Sequence, residues 1–418
     1  MLTSKFSGGA LLIAVLAACG GGRSDASESA PQQARALGNA SQVNQYSAGD
    51  QQAPAAAGDA AGNVVVAWDS VGQDGSLSGI YARRLDSAGN ALGNEFRVNT
   101  RTDNRQILPA VAMSPDGRFA VAWNSNGVNG VGLGIYVQRY AADGTPQGGE
   151  IEVAVSGEYS IQPGAGVAMD PQGNFIVLWA DRRIPGGFSS LDTRTVQVQR
   201  YSADGSPKGG PVTVEASSFP TVRNPTATMD AAGNFVVAWV QGPSGVSKSQ
   251  VFARRIFASG LPRGFAFRVS ENNAQVSDVD RARIAGNDAG AFVVVWEPLA
   301  LDASSSGAWL RVYNAAGQAL RSGFRAGTNG EIRRHPTVSM NAGGFVVAGH
   351  GNGVWAQRYD LQGNRIGTDF RPDTSGAPYT QLFGVPVLDS HGGLTLVWQD
   401  WQQDGDGRGI SSRRYAAP

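Results

Sequence analysis

Arginine and histidine gather at a few points of this 418-residue chain in a way that would suit an acidic ligand. Arg105 and Arg223 stand just ahead of short apolar runs, as do the pair Asp280 and Arg281 and the trio Arg333, Arg334 and His335. Guanidinium groups hold carboxylate, sulfate or phosphate through paired, charge-assisted hydrogen bonds. These seven residues are therefore candidate ligand-binding groups if the fold brings them together; solvated loop charges or internal ion pairs are the other reading. Acids cluster once, as Asp400, Asp404 and Asp406, with Gln73-Asp74-Gly75 a weaker instance. Closely spaced oxygen ligands beside glycine can wrap Ca²⁺, although Asp-Gly is also plain turn chemistry. The three histidines, His335, His350 and His391, have no metal-ligand spacing. Neither a Gly-x-Ser-x-Gly elbow nor a phosphate-binding loop occurs. An enzyme built on this chain would have to assemble a carboxylate pair from distant segments.

The one cysteine, Cys19, has a different role written around it. A single charge, Lys5, precedes the apolar run Ala10-Leu-Leu-Ile-Ala-Val-Leu16, and Ala17 and Ala18 follow. That is the layout of a signal peptide over residues 1–18, too short for a membrane-spanning helix of about 20 residues. Leu16-Ala17-Ala18-Cys19 resembles the lipobox of bacterial lipoproteins, in which the cysteine is acylated and becomes the mature N-terminus. The resemblance implies a lipid anchor, and Gly20 in place of an Asp after the cysteine implies sorting to the outer membrane, facing the periplasm or the cell surface. Residues 19–36 are Gly, Ser, Ala and Gln with scattered charges, too poor in apolar groups to bury anything, and read as a tether. The whole chain carries 34 basic and 34 acidic residues, and losing Lys5 with the leader leaves 33 against 34, a net charge of −1. No global field for nucleic acid or anionic lipid results.

The elements that would position these groups come from a repeat running through residues 37–418. An apolar run ending in Trp recurs as Val64-Val-Val-Ala-Trp68, Phe119-Ala-Val-Ala-Trp123, Phe175-Ile-Val-Leu-Trp179, Phe235-Val-Val-Ala-Trp239, Phe292-Val-Val-Val-Trp296, Phe345-Val-Val-Ala-Gly349 and Leu394-Thr-Leu-Val-Trp398. The intervals are 55, 56, 60, 57, 53 and 49 residues, with Gly349 in place of the sixth Trp. Around each anchor lie four short β-branched or aromatic runs bounded by Gly, Asp, Asn and Pro, the mark of strands joined by hairpins. Turns such as Asp59-Ala-Ala-Gly62, Asp170-Pro-Gln-Gly173 and Asp86-Ser-Ala-Gly89 offer a carboxylate to cap backbone N–H groups and a glycine that accepts positive φ.

Four strands per unit and seven units predict an all-β, seven-bladed β-propeller of antiparallel four-stranded blades. Its small first strands, such as Gly164-Ala-Gly-Val-Ala168, crowd the axis. The last unit stops at Pro418 without a fourth strand, while Gly38-Asn-Ala-Ser-Gln-Val-Asn44 matches the fourth-strand phrase Gly93-Asn-Glu-Phe-Arg-Val-Asn99. The N-terminal segment is thus expected to complete the last blade and close the sheet edges; an open linear array is the alternative. By phrase, with wording such as Trp68-Asp-Ser-Val-Gly-Gln-Asp-Gly75 followed by Gly79-Ile-Tyr-Ala-Arg-Arg84, the chain resembles the propeller-type repeats of bacterial exported and surface proteins. The repeated Ser-x-Asp-x-Gly-x-x-Trp box of sialidase propellers is not matched, since the Gly directly follows the Asp in Ser114-Pro-Asp116-Gly117.

Irregular segments, including 180–195, 240–249 and 271–281, all fall between second and third strands or between units, so one face of the disc varies. A ligand is expected there, at the mouth of the axis, with Trp401, Phe188, Tyr159 and Tyr379 as candidate aromatic anchors. The recurring third-strand arginines Arg84, Arg139, Arg200, Arg255, Arg358 and Arg414, with Val312 as the exception, read as structural. The expected function is a membrane-anchored, non-enzymatic binding or scaffold module for a protein or glycan. The alternative is a glycan-active hydrolase or lyase at the axis mouth. Cys19→Ala is expected to release the protein from sedimented membranes; continued sedimentation would show that acylation is not the anchor.

Overall fold

The computed structural model describes residues 34–126, 133–155, 164–183, 193–217, 221–242, 249–271, 278–299, 307–327, 333–372, 381–401 and 404–418. Residues 1–33, Cys19 among them, lie outside these residues, as do Phe188, Tyr159, Tyr379 and much of the irregular segments.

Seven four-stranded antiparallel sheets form the blades, over residues 51–97, 106–155, 166–217, 221–268, 278–325, 334–370 and 381–415. Each first strand packs against the first strands of both neighbouring blades, and that of blade 7 packs against that of blade 1, so the ring is closed. The outermost strand of blade 7 is Ser41–Gln42, paired antiparallel with Arg408–Tyr415 through Ser41 opposite Ser412 and Gln42 opposite Ser411. Leu37 N–H donates to the Arg414 carbonyl at 2.8 Å, and Val43 N–H to that of Ile410 at 2.7 Å.

The second strands are buried on both faces because a sheet lies on either side. Trp68, Trp123, Trp239 and Trp398 are among the largest fully buried side chains. At Gly349 an added Cβ would lie 2.7 Å from the Arg334 carbonyl oxygen. The indole comes instead from the facing strand: Trp355 pairs with Gly349 in register and is buried. The blade keeps its volume by exchanging residues across the ladder. Where the second strand opens on Phe and the third closes on Tyr, the rings stack, as in Phe119 with Tyr140 at 4.7 Å and Phe292 with Tyr313 at 4.6 Å.

Adjacent third-strand residues point to opposite faces, so an arginine at one position can reach the following blade and an arginine one residue earlier the preceding blade. Arg139 donates to the Ala203 carbonyl of the next blade at 2.7 Å, Arg200 to Ala258 at 2.8 Å, and Arg358 to Gly392 at 2.7 Å. Arg84 and Arg255 make the same forward reach, to Asp143 and Ala316. One residue earlier, Arg83 reaches back to the Val43 carbonyl at 2.8 Å, Arg254 to Val214 at 2.6 Å and Arg311 to Val269 at 3.2 Å. Blades 2, 3 and 6 carry Gln138, Gln199 and Gln357 there, which bond within their own blade. At Val312 the forward clasp is missing, and Arg321 substitutes with a 3.4 Å hydrogen bond to Gly363.

Deleting residues 37–50 removes the closing strand, its hydrogen bonds and the buried Val43. The expected cost is about 3–6 kcal/mol from several bonds of ~1 kcal/mol and one buried side chain. A melting temperature equal to that of the intact chain would contradict closure by this segment.

Candidate functional site

The axis mouth is shaped by a backbone irregularity that recurs around the ring. In six blades the ladder between first and second strands slips, between Gln52 and Ala55, Ile107 and Ala110, Arg223 and Thr226, Val279 and Arg281, Arg334 and Thr337, and Leu382 and Val385. At the slip Ala53, Leu108, Asn224, His335 and Phe383 take positive φ of 50–55°, and Gly164 serves in blade 3 with φ 111°. Such a conformation costs a non-glycine residue about 1–3 kcal/mol. Proline follows four of them, at Pro54, Pro109, Pro225 and Pro336, where the broken ladder has no use for an N–H. Bulges of this kind re-aim a side chain, and here they turn it toward the axis.

The strain is offset by the neighbouring blade. The residue after the second-strand Trp accepts the amide hydrogen of the next blade's slipped residue. Asn124 Oδ1 accepts from Gly164 N–H at 2.9 Å, Glu297 Oε2 from His335 at 2.8 Å and Gln399 Oε1 from Ala53 at 3.2 Å. His350 Nδ1, which follows Gly349, accepts from Phe383 at 3.2 Å, and Asp69 Oδ2 makes a longer contact of 3.5 Å to Leu108. Ala180 and Val240 occupy the position in blades 3 and 4. Burial pushes Asp69 up to about 7, against the opposing pull of the Leu108 amide, Gln52 and Arg105. Burial also pushes His350 down to about 4, helped by the charges of Arg281 and Arg334, so its neutral ring can accept the Phe383 amide at pH 7.

Inside this collar the first strands of all seven blades enclose a channel of about 650 Å³. Its wall is mainly small or apolar, including Ala55, Ala110, Gly166 and Val385. Among the described residues, the titratable groups of the wall are Arg281 and Arg283 of blade 5 and His335 of blade 6, on one side. Arg281 Nη1 lies 3.0 Å from His335 Nδ1; because a guanidinium only donates, Nδ1 is the acceptor and the ring proton sits on Nε2. Glu297 lies behind them, 3.9 Å from Arg281 Nε and bonded to the His335 amide. The His335 ring packs against His350 at 4.7 Å and Phe383 at 4.8 Å between centroids.

Of the seven arginine, aspartate and histidine candidates, the structure brings Arg281 and His335 together on the channel wall. Arg283 joins them and was missed. The repeat carries the signal: opposite the residue before each Trp, or before Gly349, stand Ala55, Ala110, Gly166, Thr226, Thr337 and Val385, and in blade 5 Arg283. Arg105 is exposed and outside the wall. Arg223 donates to the Val279 carbonyl at 2.8 Å and laces blade 4 to blade 5. Arg333 is buried, pairs with Asp369 at 2.5 Å and lies 4.3 Å over Trp355, so it supports blade 6 instead of facing the mouth. Arg334 is exposed, its backbone paired with His350. Asp280 lies within the first strand of blade 5, and its side chain is outside the described residues.

The acids considered for Ca²⁺ are engaged in holding the closing strand and its neighbourhood. Asp400 accepts the Trp398 indole N–H at 2.9 Å, Asp404 the Asn44 side-chain amide at 2.9 Å and Asp406 the Gly49 N–H at 3.1 Å. Among the described residues no group of three or more His, Cys, Asp or Glu is placed to share an ion. Trp401 is 47% exposed, with Arg408 over its ring at 5.2 Å.

No protein-family profile and no curated protein matches this chain. Among solved structures it is similar to a protein of unknown function from Dyadobacter fermentans, at 10% identity and TM-score 0.54, over 91% of this chain and 98% of that one. A puromycin hydrolase is similar at 11% identity and TM-score 0.51, over 92% of this chain and 57% of that one. An α-L-arabinofuranosidase from Fusarium graminearum aligns at 11% identity and TM-score 0.47, over 72% and 91% of the two chains. At these identities the first two similarities show the fold alone.

The raised Asp69 gives a pH test with a definite sign. A carboxyl protonated more readily in the folded than in the unfolded chain loses stability as pH rises from about 4 to about 7. Asn124 fills the equivalent place in blade 2, so Asp69→Asn is expected to keep the cap. It should add about 1–3 kcal/mol at pH 8 and nothing at pH 3. Denaturant unfolding at both pH values checks this; an equal change at both would refute the assigned titration.

Proposed function

We propose that the chain is a non-enzymatic binding propeller, held at the outer membrane through acylated Cys19, that receives an acidic group of a protein or glycan at the axis mouth. The observation that carries this reading is the placement of Arg281, Arg283 and His335 on one side of an otherwise small and apolar channel. Two guanidinium groups and an imidazole suit a carboxylate or sulfate, whose hydrogen bonds strengthen where apolar walls exclude water. A glycosidase working here would need a pair of carboxylates facing the substrate. The described wall presents guanidinium and imidazole groups, with the carboxylate of Glu297 turned to the His335 amide behind them. That arrangement favours binding over glycan hydrolysis. The rigid ring supports the same reading, because a preorganised collar loses little entropy when a ligand enters.

The test is binding of the soluble chain to arrays of sulfated, carboxylated and neutral glycans, followed by titration of the best ligand. Arg283→Ala restores the kind of residue the other blades carry and is expected to leave folding intact. It should weaken an acidic ligand at least tenfold, about 1.4 kcal/mol or more for a lost charge-assisted bond. Exclusive binding of neutral glycans, indifference to Arg283→Ala, or release of a cleaved glycan would overturn the proposal.

A further inference from the structure

The tight turns lie on the face opposite the mouth, and one of them departs from the repeat. In six blades the third strand closes into its turn through the same pairing, Leu85 with Ala91, Tyr140 with Pro146, Tyr201 with Pro207, Ile256 with Pro262, Tyr313 with Ala319 and Tyr359 with Arg365. The turns can therefore be compared residue by residue. The position after the third strand holds Asp86, Ala141, Ser202, Asn314 or Asp360, but Phe257 in blade 4. The first residue past the turn is Asn90, Thr145, Ser206, Gln318 or Asn364, but Leu261 in blade 4. Four residues further stand Asn94, Gly149, Gly210, Ser322 and Thr368, but Phe265 in blade 4. Three places that are polar or small elsewhere are thus large and apolar in a single blade. They are also exposed: Phe265 is 92% accessible, Leu261 66% and Phe257 42%. A monomer gains nothing by holding three such groups together in water.

Two further observations say what covers them. Residues 250–270 hold no acid; of their arginines, Arg254 and Arg255 are engaged with the carbonyls of Val214 and Ala316, while Arg263 lies 5.5 Å over the Phe257 ring. Aromatic and aliphatic groups rimmed by arginine suit the boundary between acyl chains and anionic headgroups. The chain also enters the propeller on this face. Ala36 bridges Tyr415, which pairs with Leu394 beside the turn of Asp389 and Gly392, and the Ala416 N–H donates to the Arg35 carbonyl at 2.9 Å. Cys19 lies fifteen residues before Ala34, a contour of at most about 50 Å.

We propose that Phe257, Leu261 and Phe265 form a membrane-seating patch that dips into an anionic bilayer surface, so that the disc lies turn face down with its axial mouth outward. The patch and Arg263 are a second, reversible contact beside the lipid, and an acyl anchor plus a basic, apolar surface holds better than either alone. The inference rests on the anchored reading for its place in the cell, but its test does not use the lipid.

Every strand of the ring lies between residues 41 and 415, so a chain of residues 19–418 bearing Cys19→Ala retains the fold while leaving out the apolar leader. That chain has no cysteine, and a single Phe265→Cys or, on the mouth face, Arg101→Cys can carry a polarity-sensitive fluorophore. With vesicles of phosphatidylglycerol and phosphatidylethanolamine, the label at 265 is expected to shift to the blue and escape an aqueous quencher, while the label at 101 does not. In the unlabelled chain, Phe257→Asp, Leu261→Asn and Phe265→Asn together, the residues of blade 1, should reduce vesicle binding at least tenfold with an unchanged melting temperature. A label at 265 that stays in water at saturating vesicle concentration overturns the proposal. So does concentration-dependent self-association that the triple variant abolishes, because a second copy would then be the occupant. Failure of the anchored reading shows separately, as unchanged sedimentation of Cys19→Ala in cells.

Discussion

Seven first strands converge on one axis, and none can relax without its neighbours. The crowding demands small side chains, and a regular ladder would still leave their ends badly aimed, so in six blades the first strand slips, and in six a residue at its start takes positive φ. That costs energy and frees an amide hydrogen. At five junctions a side chain of the preceding blade, Asp69, Asn124, Glu297, His350 or Gln399, accepts it. The shape of the mouth is therefore a property of the closed ring and not of any blade alone. Open the circle, and the collar loses the caps that make its geometry affordable.

On the opposite face the same problem is solved with arginine. Guanidinium groups span the gap between sheets and satisfy carbonyl oxygens of turns that would otherwise meet only water. Paired Arg-Arg sequences in the third strand look redundant until the strand's period of two is applied: Arg84 reaches forward and Arg83 back. Such residues give the composition its bias toward arginine while their guanidinium groups serve backbone oxygen.

The repeat made the propeller, its blade count and its closing strand legible, because each rests on local patterns: strand length, turn residues and a spare phrase at one end matched by a missing one at the other. The capping turns were equally readable, with Asp170 and Asp230 holding the amides of Asn174 and Asn234 as their spacing implied. The site was legible only in part. Arg281 and His335 were found from charge ahead of a strand, but the same rule selected Arg333, whose side chain turns away to Trp355, and overlooked Arg283. The register slip decides between them by changing which residues face the axis, and no single unit announces it. Only position-by-position comparison reveals that an arginine stands where six other blades carry Ala, Gly, Thr or Val. The acids of blade 7 misled for a related reason: their partners, Asn44 and Gly49, lie at the far end of the chain.

The missing guanidinium at Val312 falls on the seam between blades 5 and 6, where Arg321 makes only a 3.4 Å substitute. The same seam carries Arg281, Glu297 and His335 at the other face. Tyr359 and Arg365 of blade 6 hold Gly327, which follows the last strand of blade 5, and at the channel the joint is held by groups of its wall. A guest settling between Arg283 and His335 would act as a keystone across this joint, and its affinity would be felt as resistance of the entire disc to springing apart.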